Sequence, residues 1–217
     1  MSQPADTAID LYCERSSSAF WAEPVNALTN LSFIVAALML LVLLRRGGRQ
    51  AGWPALLLTG NVAVIGVGSF LFHTFASRLT MLADLLPIFI YQLCFLGLYL
   101  RRIAGWRRAA VGGLLAAFLL VNAGFAQLPA EWLNGSLKYA GALLFIAALA
   151  ALHRQAGRNE PNILWWASAI FLVALACRSL DEWLCPGWPL GTHFLWHLLN
   201  GLVLYLTTRA FIVNHRA

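Results

Sequence analysis

The sequence predicts an all-α fold, a polytopic membrane protein built as a bundle of seven transmembrane helices. Three observations carry this. Of the 217 residues, 60% are hydrophobic and 11% charged, where a soluble domain carries about 25% charged residues. Apolar runs near twenty residues, the length that crosses a bilayer, recur from end to end. Basic residues concentrate in alternate loops, the pattern of a chain that crosses a membrane repeatedly.

The first span, 25–44, follows Glu23-Pro24, and proline suits the first turn of a helix. The second, 54–73, opens on Pro54 in the same way and ends on His73. The third, 80–100, carries Asp84 about one turn in. The fourth, fifth and sixth run over 109–126, 137–152 and 162–180, separated by short polar or Gly-containing loops that favour antiparallel neighbours. The seventh, 192–212, opens on His193. One domain is expected: an outer segment over residues 1–24, the bundle over 25–212, and a cytoplasmic tail over 213–217. Residues 1–21 hold no apolar stretch of the kind found in a cleavable signal peptide.

Eleven basic residues between Arg45 and Arg216 fall on one side, and four (Arg15, Arg78, Lys138 and Arg178) on the other. The positive-inside rule then places the N-terminus outside and the C-terminus in the cytoplasm, as an odd number of spans requires. The net charge of +6 is therefore read as a topology signal and not as a nucleic-acid patch. One lysine against fourteen arginines is read as GC-rich bacterial coding, which suggests an inner membrane. No protein partner is predicted.

This orientation brings polar groups from three spans to one depth. His73 ends an outward-running span, Asp84 lies one turn into the next, and His193 and His197 occupy the first turn and a half of the last. Ser69 lies one turn deeper than His73 on the same face. His193 and His197, four apart, share a helix face. Three imidazoles with an open fourth position and a nearby carboxylate are what a catalytic zinc requires. Each residue also has a plainer reading. The paired histidines suit a headgroup interface, Ser69 suits a hydrogen bond to the carbonyl four residues back, and Asp84 suits an ion pair with Arg78 or Arg178. Ionisable groups in a membrane bundle are costly and usually functional, which favours the site. Trp196 suits either a lipid-pocket wall or an interfacial belt.

Three stretches resemble the alkaline ceramidases and, more broadly, the seven-helix hydrolase superfamily that includes the adiponectin and progestin receptors. They are Tyr12-Cys13-Glu14 with residues 22–30, residues 66–74 continuing to Asp84-Leu85-Leu86-Pro87, and residues 193–197 with Asn200-Gly201. The resemblance implies a zinc amidase that cleaves a ceramide-like membrane lipid to a long-chain base and a fatty acid. It implies Zn²⁺ on His73, His193 and His197, Asp84 as base, and Ser69 near the oxyanion. The alternative is a receptor-like, zinc-containing lipid-binding protein with little turnover. A transporter is a further alternative, which Asn26, Asn30 and Asn61 keep open. The resemblance also implies Ca²⁺ near the zinc. Glu14 and Glu23 match the family's glutamates, and Asp10, Tyr12 and Ser16 are candidates for the remainder. Leu11 and Ser16 depart from the acid and the asparagine expected there, and the step to Glu23 is two residues short. The alternative for this stretch is a solvated acidic tail. Cys13 and Cys185 are expected together on the outer, oxidising side, where a disulfide would join the N-terminal segment to the loop before the last span. Cys94 and Cys177 are expected to be packing residues.

Overall fold

The computed structural model describes residues 8–46, 52–129 and 131–215. These form helices and loops, with no strand among the described residues. The first span is broken in two. Helix α1 (Pro24–Thr29) ends at Asn30 and α2 (Leu31–Arg46) continues. The break falls where the amides of Asn26 and Asn30 turn inward and are buried. Helix α3 is Trp53–Phe75. Helix α4 (Arg78–Leu98) runs on through a π turn, Tyr99–Ile103, so Arg101 and Arg102 belong to the helix end and not to a loop. Helix α5 is Arg108–Ala126. Helix α6 (Ala140–Gln155) starts later than the sequence suggests. Before it lies a 3-10 segment, Trp132–Tyr139, with Leu133, Asn134 and Gly135 all at positive φ. Helices α7 (Ile163–Leu184) and α8 (His193–Asn214) complete the chain.

The seven long helices close into a ring. Each packs on its sequence neighbours, and α8 returns to pack on α2, with α3 and α8 also touching. Two close approaches depend on missing side chains. A Cβ on Gly68 would collide with the Ala83 carbonyl of α4, and one on Gly201 would meet Ser32 of α2 at 2.7 Å. Small residues at such points let membrane helices approach closely. The Gly68 contact sets Asp84 against the neighbouring Ser69.

Six of the helices, taking α1 with α2, the π turn with α4 and the 3-10 segment with α6, are long and apolar enough to cross a membrane. Helix α8 has 22 residues, but His193, His197, Asn200 and Arg209 make it more polar. The outer face of the ring is apolar: Leu31, Val35, Leu38, Leu82, Leu120 and Leu172 are all exposed. A surface so continuously apolar needs lipid to cover it. The protein is an integral membrane protein, and its polar groups collect at the two ends of the ring.

The end away from the histidines is pinned by side chains. His153 is fully buried, with Nδ1 2.5 Å from the Tyr99 hydroxyl and Nε2 3.1 Å from the Asn159 carbonyl oxygen. Arg209 of α8 pairs with Glu160. Above this, Leu40, Leu58, Phe95, Leu100 and Phe211 form the main apolar core. Arg49 and Arg216, two of the eleven basic residues on that side, lie outside the described residues.

Candidate metal centre and active site

His73 is placed by the last turn of α3, and His193 and His197 by the first two turns of α8. All three are at most 2% exposed. Their ring centroids lie 4.6 to 5.2 Å apart. One nitrogen from each falls within 4.8 Å of the others, the only such cluster of metal-binding side chains among the described residues.

Two of the rings are oriented by hydrogen bonds. His73 Nδ1 lies 2.6 Å from Glu23 Oε2, so it donates its proton to the carboxylate. His197 Nδ1 lies 3.0 Å from the Thr29 hydroxyl, which itself donates to the carbonyls of Val25 and Asn26. With Nδ1 engaged in each ring, Nε2 is the nitrogen left for a metal. Second partners of this kind fix the tautomer and raise the basicity of a metal-binding imidazole. His193 Nδ1 is buried with no partner at all. A buried polar atom left unsatisfied is costly, and a metal bound by the three rings would relieve the pressure on this cluster. Three imidazoles suit zinc and related transition metals, whereas calcium and magnesium require oxygen.

The N-terminal segment folds over this cluster. The Tyr12 ring stacks on His193 at 3.5 Å between centroids and 15° between planes. Burial pushes the Tyr12 phenol well above its ordinary pKa, so it stays neutral although Arg178 opposes the shift. Cys13 and Cys185 form a disulfide, with Cα atoms 5.3 Å apart. Asp181, fully buried on α7, holds the junction. Its Oδ1 accepts from the backbone N–H groups of Thr192 and His193 at 2.6 and 2.8 Å, and Oδ2 from that of Cys13 at 3.1 Å. A carboxylate at the start of α8 satisfies orphan donors and complements the helix dipole.

Asp84 and Ser69 stand side by side, near enough for the hydroxyl to bond the carboxylate. With His197 they line one end of a cavity of about 100 Å³ at the centre of the ring. Its remaining wall is mostly apolar and aromatic, including Ile88, Phe95, Phe118, Phe145 and Phe171. Asp84 makes no ion pair with Arg78 or Arg178, since the ion pairs among the described residues are those of Arg15, His73 and Arg209 with glutamate. Trp196 is not in an interfacial belt. It is 7% exposed, packs on Phe171 and Tyr139, and lines the cavity.

The residues expected to bind calcium are engaged with partners inside the chain or exposed. Asp10 and Ser16 are exposed. Tyr12 is committed to His193. The two carboxylate oxygens of Glu14 each accept a backbone N–H, from Val25 and Asn26, at 2.7 Å. Glu23 Oε1 accepts from Arg15 Nε at 2.5 Å, and Oε2 from His73 and from the Asn26 amide at 3.0 Å. Burial alone would raise the Glu23 carboxyl. The His73 hydrogen bond, the Asn26 amide and the Arg15 charge outweigh it and hold the group below its ordinary range.

Four functional residues were not visible as such in the sequence: Arg15, Thr29, Asp181 and, in its actual role, Glu23. Asp181 carried one usable signal, an acid three residues from Arg178 within an apolar helix. Thr29 and Glu23 lie in a stretch that marked the family resemblance, but nothing local showed which histidine each would meet.

A closed ring of apolar helices, with a buried three-imidazole cluster of metal-binding type and a carboxylate at one end of a mostly apolar cavity, defines an integral membrane protein with a polar site built into one end of its bundle. The chain belongs to the Ceramidase family, whose model matches residues 4–215, nearly its whole length. That makes it a membrane hydrolase of the class that acts on ceramide. No curated protein matches the chain.

Proposed function

We propose that this chain is a zinc-dependent amidase that cleaves the amide of a ceramide-like lipid to a long-chain base and a fatty acid. One observation carries the reading. His197 of the three-histidine cluster, Asp84 and Ser69 line one end of a mostly apolar cavity. An amide lipid places its scissile bond between a polar head and two chains, which matches that division.

His73, His193 and His197 would hold the zinc. Bound zinc supplies a Lewis acid and lowers the pKa of water to about 7. Asp84 accepts the proton of the attacking water and returns it to the leaving amine, the double role of a general acid–base group. The Ser69 hydroxyl donates to the oxygen that gains charge as the amide becomes tetrahedral. Glu23 and Thr29 hold two of the rings in one tautomer. Aromatic side chains around the cavity exclude water and hold the hydrocarbon. The disulfide and Asp181 keep Tyr12 over the cluster.

The orientation proposed is histidine end outward. The charge bias supports it, and the burial of Arg15 and Arg178 inside the protein removes two of the four basic residues counted against it. Substrate then enters from the outer leaflet.

The test is metal analysis with a lipid assay on one purified sample. One zinc per chain and release of fatty acid from ceramide are expected, with both lost after chelation and restored by zinc. Full hydrolysis by metal-free protein would overturn the reading.

A further inference from the structure

We infer that the guanidinium of Arg15 is a built-in cation that takes the place a calcium ion would hold beside the histidine cluster, so that this chain needs no calcium. The inference rests on the proposed metal centre for its consequence and on Arg15 alone for its geometry.

Arg15 is 5% exposed, in a segment whose neighbours Ser16 and Ser17 are exposed. An arginine is buried this completely only when it is paired. Its donors reach three oxygens from three places in the chain. Nε donates to Glu23 Oε1 at 2.5 Å, Nη1 to the Ser17 carbonyl at 3.2 Å, and Nη2 to the His73 carbonyl at 3.0 Å. One carboxylate and two carbonyls around one positive centre are oxygens of the kinds a calcium ion binds, though only three of the six to eight it takes. Here a rigid planar fork collects them, and the fork is always charged. A dication added beside Glu23 would meet a guanidinium already in contact with that carboxylate. Glu14, the other expected ligand, has each carboxylate oxygen occupied by a backbone N–H at the start of α1.

The arrangement also reaches the histidines. Arg15 fixes the Glu23 oxygen that His73 does not use, and it grips the His73 carbonyl directly. Glu23 is thereby held for the 2.6 Å bond to His73 Nδ1. Arg15 is in this sense a positioning residue for the first ring of the cluster. An ion that must be bound from solution is replaced by a side chain that cannot dissociate.

The experiment uses the full-length chain, purified in detergent, with two readouts that do not require turnover. The first is the binding of Ca²⁺ itself, by titration calorimetry and by thermal unfolding in calcium and in a calcium-selective chelator. No binding at millimolar calcium and no change in Tm are expected. One bound calcium per chain that raises Tm, and is lost in Glu23→Gln, would overturn the inference. The second is zinc affinity in Arg15 variants. Arg15→Gln, which keeps size without charge, should weaken zinc about 10- to 100-fold, the effect typical of losing an outer partner of a metal-bound histidine. Arg15→Lys, which keeps the charge, should lose less. Equal losses in the two variants, or none in either, would remove the cation role. If the protein bound no zinc, the zinc-amidase reading would fail while the calcium titration still decided this one.

Discussion

Glu23 Oε2 lies 2.6 Å from His73 Nδ1, across fifty residues of sequence, and both side chains are almost fully buried. A carboxylate just outside the first helix therefore orients a ring at the end of the second span. The same carboxylate receives the Arg15 guanidinium on its other oxygen. A linear chain of cation, carboxylate and imidazole leads from the N-terminal segment to the metal centre.

Breaking this link at its centre should loosen the metal without removing a ligand. Glu23→Gln is expected to weaken zinc affinity by about 10- to 100-fold. Thr29→Val, which removes a neutral partner from His197, should weaken it less. Competition with a zinc indicator in detergent measures both. Zinc affinity in Glu23→Gln equal to wild type would show that His73 needs no help from Glu23.

Asp84 and Ser69 should separate metal binding from chemistry. Asp84→Asn keeps shape and removes the base, so hydrolysis should fall by about 10²- to 10⁴-fold with one zinc still bound. Ser69→Ala should cost up to about 10²- to 10³-fold, as the loss of one oxyanion donor does. Initial rates of fatty-acid release, with metal content on the same samples, give the comparison. An Asp84→Asn protein that turns over normally would assign the carboxylate a structural role.

The N-terminal cover should depend on Cys13, Cys185 and Asp181 together. Cys13→Ser/Cys185→Ser removes a covalent closure of 172 residues and should cost about 2–4 kcal/mol, the usual worth of a disulfide. Asp181→Asn keeps the size but weakens three hydrogen bonds to backbone N–H groups, at about 1.5–3 kcal/mol for bonds to a charged group. Thermal unfolding in detergent, with and without reductant, measures these. A Tm indifferent to reductant would show that the segment is held without the disulfide.

Filling the cavity should discriminate by chain length. Val203 lines it from α8 and is 5% exposed. Val203→Trp should raise KM for long-chain ceramides far more than for short-chain ones and leave zinc binding unchanged. Equal effects on both lengths would place the acyl chains elsewhere.

Orientation has its own measurement. In a background without Cys94 and Cys177, Ser18→Cys should react with an impermeant thiol reagent from outside the cell. Gln155→Cys, at the opposite end of the ring, should react only after the membrane is opened. The reverse pattern would turn the molecule over and move substrate access to the inner leaflet, with the histidine chemistry unaffected.

The sequence determined the class of fold, because crossing a membrane demands long apolar helices and their lengths are written locally. It also placed His73, Asp84, His193 and His197 at one depth, since a residue's position along a span fixes its level in the bilayer. Depth is one coordinate of three. The order of helices around the ring, the contact of Ala83 with Gly68 that sets Asp84 beside Ser69, and the turning of Trp196 into the cavity arise from helix-to-helix packing, which no single segment encodes. The left-handed turn over residues 133–135 escaped an apolarity reading because tertiary hydrogen bonds between Asn134 and Arg178 hold it, and the break at Asn30 because it lies inside an apolar run. The partners of the two glutamates were equally out of reach of a local reading. Glu14 and Glu23 were in place in the sequence, but only the folded chain shows that backbone N–H groups hold the first and that Arg15 and His73 hold the second. Whether a buried carboxylate binds an ion or a side chain is decided by which partner reaches it at hydrogen-bond distance, and that is a property of the tertiary structure alone.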